Sequence, residues 1–302
     1  MRLPTGLSFI FAALVWTIGG LFIERENIPR DRSPSPFMET PRTGTPGFIG
    51  SIKEAQPKKV LPDISPGDPE ISVQWGTSGD TSTGTAFPVS SGGFWLTARH
   101  VVDNCARVGI FSAQNSQGGF WVRKVYVHPN ADIAVLQTSR TPPAIAIRPA
   151  SKKLTVGQTG YHFGFPQGKP GDLLSELIGR RKLRKVGRNS FVEPAIAWAV
   201  KLQAPRLGAF GGISGGPVLD QKGQVVGVTV AGNIRRGRVI ASPPKTINEF
   251  LQFISIRPDG TPSANVPTKT LNKGAFSVHG DYLRKNLSVA KVLCSAKRPS
   301  LN

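Results

Sequence analysis

The chain has 302 residues, enough for one large domain or two small ones, and 39% of them are hydrophobic, which excludes wholesale disorder. Its formal net charge of +20, from 38 Lys and Arg against 18 Asp and Glu, favours anionic partners such as nucleic acid, phospholipid headgroups or acidic proteins without choosing among them. The two cysteines, Cys105 and Cys294, exclude a disulfide scaffold and a four-thiolate zinc site, and leave either one long-range disulfide or two free thiols.

In chain order, residues 5–23, "TGLSFIFAALVWTIGGLFI", are uncharged and almost wholly apolar, and about 20 such residues span a bilayer as a helix. A cleaved signal peptide is the rival reading, but its apolar core runs to roughly 7–15 residues and ends in a small-x-small site, which is poor here. An uncleaved anchor is the expectation. Arg25, Arg30 and Arg32 outnumber Arg2 and would hold the downstream chain in the cytoplasm. The N-terminal position of the segment and the acidic residues just after it favour export instead, so the folded part is expected on the extracytoplasmic side.

Residues 24–70 are rich in Pro, Gly and charge without apolar periodicity and read as a tether. From Ile71 short apolar or alternating runs take over, among them "ISVQW", "GTAFPV", "GFWLTA", "AIAWAVKLQA", "QVVGVTV" and "RVIAS", each bounded by turn residues. About ten such strands, closed by a helix over 243–254, make an all-β sandwich or barrel. Residues 256–302 read as a tail, with a helix over "DYLRKNLSVAKVLC" carrying Cys294.

The chemistry centres on "GGISGGPV" (211–218). Gly212, Ser214 and Gly216 fit the G-x-S-x-G nucleophile elbow, which needs a helix after the serine and the order Ser, acid, His, with Asp259 and His279 as candidates. Gly215, Gly216 and Pro217 are poor material for that helix. A serine hydroxyl needs a base, an orienting acid and oxyanion donors. His100 follows an apolar run in "WLTARHVV", and Asp132 precedes another in "ADIAVL".

"TARHVV", "ADIAVL" and "GISGGPV" resemble, in that order, the His, Asp and Ser boxes of the trypsin-like, chymotrypsin-fold serine peptidases, over roughly residues 71–255. "GTAFPV" and "GFPQG" (164–168) are similar to the compact bacterial branch of that family. The resemblance implies two antiparallel β-barrels, with His100 as general base and acid, Asp132 as its orienter and Ser214 as nucleophile. It implies an oxyanion hole from the backbone N–H groups of Gly212 and Ser214, and no metal or other cofactor. Gly208, Ala209, Thr229, Val230 and Ala231 would bind substrate. None of them is charged, so a small or medium apolar residue is expected before the scissile bond, with substrate backbone pairing along Thr229–Ala231. Protein or peptide is the implied substrate.

Two departures from the family's digestive members stand out. Ile213 replaces the acid that would pair with a newly cut N-terminus, and no cysteine lies near Cys105. In an exported chain, pairing of Cys105 with Cys294 would clamp the tail onto the first barrel. "RRKLRKVGR" (180–188) is expected as a loop, either a solvated hairpin or a docking patch for anionic lipid or an acidic partner. Nucleic acid is disfavoured because no aromatics interleave with these basic residues. His128 reads as a loop residue and His162 as packed or substrate-facing. An inactive peptidase fold used for binding is the alternative function.

Overall fold

A computed structural model of the chain describes residues 59–75, 81–113, 119–187, 190–259 and 271–296. The apolar segment 5–23 and most of the expected tether lie outside the described residues. Among the described residues no helix is long and apolar enough to cross a membrane.

Among the described residues the fold is all-β, with sixteen strands and three short α-helices. In chain order come β1 (Lys59–Val60), β2 (Glu70–Val73), β3 (Ser82–Ser90), β4 (Phe94–Thr97), α1 (Arg99–Val102), β5 (Cys105–Phe111), β6 (Gly119–Trp121), β7 (Lys124–Val127) and β8 (Ala134–Gln137). Then follow β9 (Thr155–Val156), β10 (Thr159–Gly164), β11 (Gly171–Lys185), β12 (Phe191–Ala204), β13 (Pro217–Leu219), β14 (Val225–Asn233) and β15 (Arg238–Ser242). The chain ends through α2 (Pro244–Phe253), α3 (Phe276–Lys285) and β16 (Ala290–Ala296).

Two seven-stranded sheets carry the fold. The second, ordered β10-β13-β14-β15-β12-β11-β2, closes through a β10–β11 pairing into a six-stranded barrel, with β2 added in parallel to β11. The first, ordered β6-β5-β16-β3-β4-β8-β7, is an open curled sheet rather than the closed barrel expected. Its edge strands β6 and β7 are three and four residues long and do not pair with each other. Val, Ile and aromatic residues on the inner faces form the core, with Phe87, Trp95, Phe163 and Trp198 fully buried.

The C-terminal segment is part of this core and not an appended tail. In α3 the expected helix stops at Lys285, and Leu287 turns the chain with a positive φ of 57°. From Ala290 the alternation Ala290, Val292, Cys294 faces inward, as a strand requires. β16 pairs antiparallel with β3 on one side and β5 on the other. The strong helix formers of "DYLRK" mask this seven-residue strand in the sequence. Cys105 and Cys294 lie on β5 and β16 with their Cα atoms 5.4 Å apart and are joined by a disulfide. On α3, Phe276, Gly280, Leu283 and Arg284 form the buried face at helical spacing. Arg284 makes a two-pronged buried pair with Asp172 of β11, at 2.5 and 2.9 Å. A side chain at Gly280 would strike the Asp172 carboxylate, so glycine there lets the helix approach.

Two further boundaries move. The packed body already includes Lys59: β1 pairs with β9, and Leu61 is buried in the core of the closed barrel. Residues 171–185 form the fifteen-residue strand β11, which takes in 180–185 of the loop expected over 180–188. Its Leu, Gly, Arg and Lys content hides the strand, and two irregularities, at Leu174/Ser175 and Leu177/Gly179, break its alternation. Three of its basic side chains, those of Arg180, Lys182 and Arg184, engage the N-terminal segment. Arg184 pairs with Glu70, Lys182 donates to the Pro66 carbonyl and Arg180 to the Pro62 carbonyl.

Candidate active site

His100 sits on the single turn α1, entered directly from β4 through the extended Ala98. Val101 and Val102 pack inward, which fixes the turn and leaves the imidazole at the surface of the junction between the sheets. The loop before β8 carries Asp132, whose side chain is 1% exposed. One Asp132 oxygen accepts the His100 backbone N–H at 2.8 Å, and the other lies 2.6 Å from Nδ1. An ionised carboxylate can only accept, so this pairing places the ring proton on Nδ1 and leaves Nε2 as the basic nitrogen.

Ser214 belongs to the loop before β13 and is partly exposed. Thr85 of β3 anchors this loop to the first sheet. Its N–H donates to the Ser214 carbonyl at 2.8 Å, and its hydroxyl donates to the Gly212 carbonyl at 2.8 Å while accepting the Phe165 N–H at 3.1 Å. Gly215 has a φ of 85°, and a Cβ there would come within 2.8 Å of the Ala98 nitrogen. Only glycine permits that wedge, which sets the residue after Ser214 against the backbone two residues before His100. The N–H groups of Ile213, Gly215 and Gly216 donate to Phe210, Thr229 and Ile213 carbonyls. Among the described residues, those of Gly212 and Ser214 have no protein acceptor and remain available as donors.

Ile213 is 1% exposed in the barrel core, with no charge for an N-terminal ammonium to meet. The elbow constellation does not assemble. β13 follows Ser214 where a helix was needed, and Asp259 instead accepts the Ser91 backbone N–H at 2.7 Å. His162 is fully buried between Thr229 and Ser175 hydroxyls, and burial pushes its pKa down to about 3, so it is a neutral packing residue. His128 is half-buried against Phe250, and burial again lowers its pKa.

The substrate-binding candidates divide. Gly208 is exposed and Ala209 half-buried, whereas Val230 is core. Thr229 is not an open edge as expected: its carbonyl accepts Gly215 N–H, its N–H donates to Gly216 and its side chain is buried. Ala231 pairs with β15 on one side only, because β13 ends opposite Val228. Phe210 packs over Gly232, within 2.8 Å of where a Cβ would be, and narrows the space beside Ala231.

Three contributors escaped the sequence reading. Thr85 is one. Trp75, in "ISVQW", stacks on the His100 imidazole with ring centroids 4.8 Å apart and planes 8° from parallel. Glu193 of β12 is buried behind Asp132, accepting its backbone N–H at 3.0 Å and the Ser242 hydroxyl at 3.0 Å. Burial, then the Asp132 charge, raise its carboxyl to about 8. A Glu three residues from a strand end, next to Pro194, carries no local signal for this role.

The architecture is that of an all-β, two-sheet protein with a His-Asp pair and a glycine-rich serine loop at the seam. Residues 84–228 match the family model of the trypsin-like peptidase domain, a stretch that contains His100, Asp132 and Ser214. A protein of Pseudomonas putida described as "Probable periplasmic serine endoprotease DegP-like" is 29% identical over 147 residues, 49% of this chain and 28% of its own length. One of the same description from Chlamydia trachomatis is 26% identical over 155 residues, 50% of this chain and 29% of its own. The active form of the Rv3671c protease of M. tuberculosis is 17% identical, with a TM-score of 0.47 over 79% of this chain and 99% of that one. The family model and the two sequence relatives support the trypsin-like serine peptidase family for the segment they span. The chain spans less than a third of the length of these curated relatives.

Proposed function

We propose that this chain is a serine endopeptidase acting outside the cytoplasm. The observation that carries the reading is the two-point grip of Asp132 on His100, with Nδ1 engaged and with Gly215, next to Ser214, wedged against the backbone two residues before His100. The relatives described as periplasmic serine endoproteases and the Cys105–Cys294 disulfide support it. The apolar segment 5–23 would anchor the chain or export it.

In this mechanism His100 Nε2 removes the Ser214 hydroxyl proton as Oγ attacks the scissile carbonyl carbon. The N–H groups of Gly212 and Ser214 hold the oxyanion, and Asp132 stabilises the imidazolium that forms. Nε2 then protonates the leaving amine, which departs as the tetrahedral intermediate collapses to an ester on Ser214. Water, deprotonated by Nε2, attacks that ester and the acid is released. Trp75 on one face of His100 limits rotation of the ring. With Phe210 packed over Gly232 beside Ala231, and no charge at Gly208, Ala209 or Ala231, a small or medium apolar residue is favoured before the scissile bond.

Labelling of the full chain with a serine-directed phosphonate tests the assignment. The native chain is expected to label, and Ser214→Ala and His100→Ala are expected to abolish labelling and to lower peptide hydrolysis by about 10⁴-fold or more. A native chain that does not label would return the protein to the class of inactive peptidase folds.

A further inference from the structure

A cleft of about 710 Å³ opens on the second sheet, with Ile178, Ala197 and Ile240 as its floor. Its two walls lead to the catalytic centre. On one side β2 runs from Ile71 to Val73, and two residues later Trp75 lies on His100. On the other, Ala231–Asn233 of β14 continue from Thr229, whose carbonyl holds Gly215 beside Ser214.

Three arginines line this cleft, Arg181, Arg236 and Arg238, and no acidic residue does. Among the described residues none of the three is in a salt bridge, although Arg99, Arg148, Arg184 and Arg284 all are. Arg181 and Arg238 donate one bond each to backbone carbonyls, of Arg180 and Gly237, which leaves the remaining N–H donors of both forks available. The sequence can place acids beside arginines where they are structural, as Glu70 is beside Arg184. Here it leaves three guanidinium groups around an apolar floor, on the line a bound peptide takes away from Ser214.

Resting on the peptidase reading, we infer that this cleft selects substrates carrying acidic side chains about three to five residues before the scissile bond. A peptide extended along Ala231–Asn233 advances ~3.3 Å per residue, so side chains beyond the one next to the cut reach the arginines. Guanidinium forks pair with carboxylates through two parallel bonds, which gives selectivity over the neutral amide of the same shape. The apolar floor beneath them lowers the local dielectric and strengthens that pairing.

The test compares peptide pairs that differ only by Glu against Gln, or Asp against Asn, at each of these positions, using the full chain. The native protein should favour the acidic member by ~10-fold or more in kcat/KM at one position at least, with the ratio shrinking as salt is raised. Arg236→Glu with Arg238→Glu, both exposed side chains, should invert the ratio. Equal cleavage of every pair by a chain that depends on Ser214 would overturn the inference and leave the peptidase reading standing. Binding of labelled acidic and amide peptides to the Ser214→Ala chain, read by fluorescence anisotropy, separates the two ideas. Charge-selective binding that the double arginine reversal abolishes, in a protein that cleaves nothing, would support the cleft and remove the peptidase reading. No selective binding would overturn the cleft, as would a single-stranded oligonucleotide binding through the same arginines more tightly than the acidic peptide.

Discussion

The six strands of the closed barrel, β10 to β15, come from one continuous stretch, residues 159–242, and the sheet seals itself by pairing β10 with β11. In the open sheet the corresponding continuity fails. β3 and β5 are close in sequence, with only β4 and α1 between them, but are separated in space by β16, which comes from residues 290–296 and carries the partner of Cys105. One sheet is complete from local chain; the other depends on a strand delivered late and then locked covalently. The proposed active site draws on both, with His100 and Asp132 on connections of the open sheet and Ser214 on a loop of the closed one.

Placing a charge on the delivered strand should break the contrast hardest. Val292→Asp buries an unpaired carboxylate at a position with no solvent exposure and should cost at least ~4 kcal/mol. Hydrogen exchange should then show amides of β3 and β5 losing protection while those of β11 and β12 keep it. Simultaneous loss in both sheets would mean that they form one cooperative unit.

Glu193 sharpens the comparison, because the closed barrel uses it to hold the acid of the open sheet. Its carboxyl pKa is raised from 4.5 to about 8, so its contribution to stability is whole below about pH 4.5 and is lost as the pH rises through about 8. Chemical denaturation across that window should show stability falling by up to about 5 kcal/mol, and Glu193→Gln should flatten the fall. An unchanged slope in the variant would remove Glu193 as its source.

Opening the lock gives the smallest effect. Cys294→Ala, or reduction, should cost about 2–4 kcal/mol in denaturant titration and leave β16 in place between its two neighbours. Reduction that releases β16 altogether would show that the bond, and not the strand pairing, holds it.

Much of this was legible in the sequence for a physical reason. His100, Asp132 and Ser214 lie in short segments whose apolar strand, turn and glycine pattern is local. Strands such as β14, with "VVGVTV", declare themselves by β-branched residues. What was hidden depends on distance along the chain or on weak local preference. β16 follows a helix without a proline or glycine to announce the change, and β11 is a strand written in Leu, Arg and Lys. Trp75 and Glu193 act on His100 and Asp132 only through contacts across 25 and 61 residues, for which no short window carries a signal. The expected free edge at Thr229 failed because the serine loop itself occupies it.

The place of β16 also sets a timetable. A ribosome adds roughly 5–20 residues each second, so the 189 positions between the paired cysteines take on the order of 10–40 s to make. Throughout that interval β3 and β5 wait with unpaired edges facing each other, while the barrel after them in the chain can already close. A growing chain of this design therefore holds its most exposed sheet edges in the half that emerged first, and whatever keeps those edges from foreign strands must act until β16 has been made.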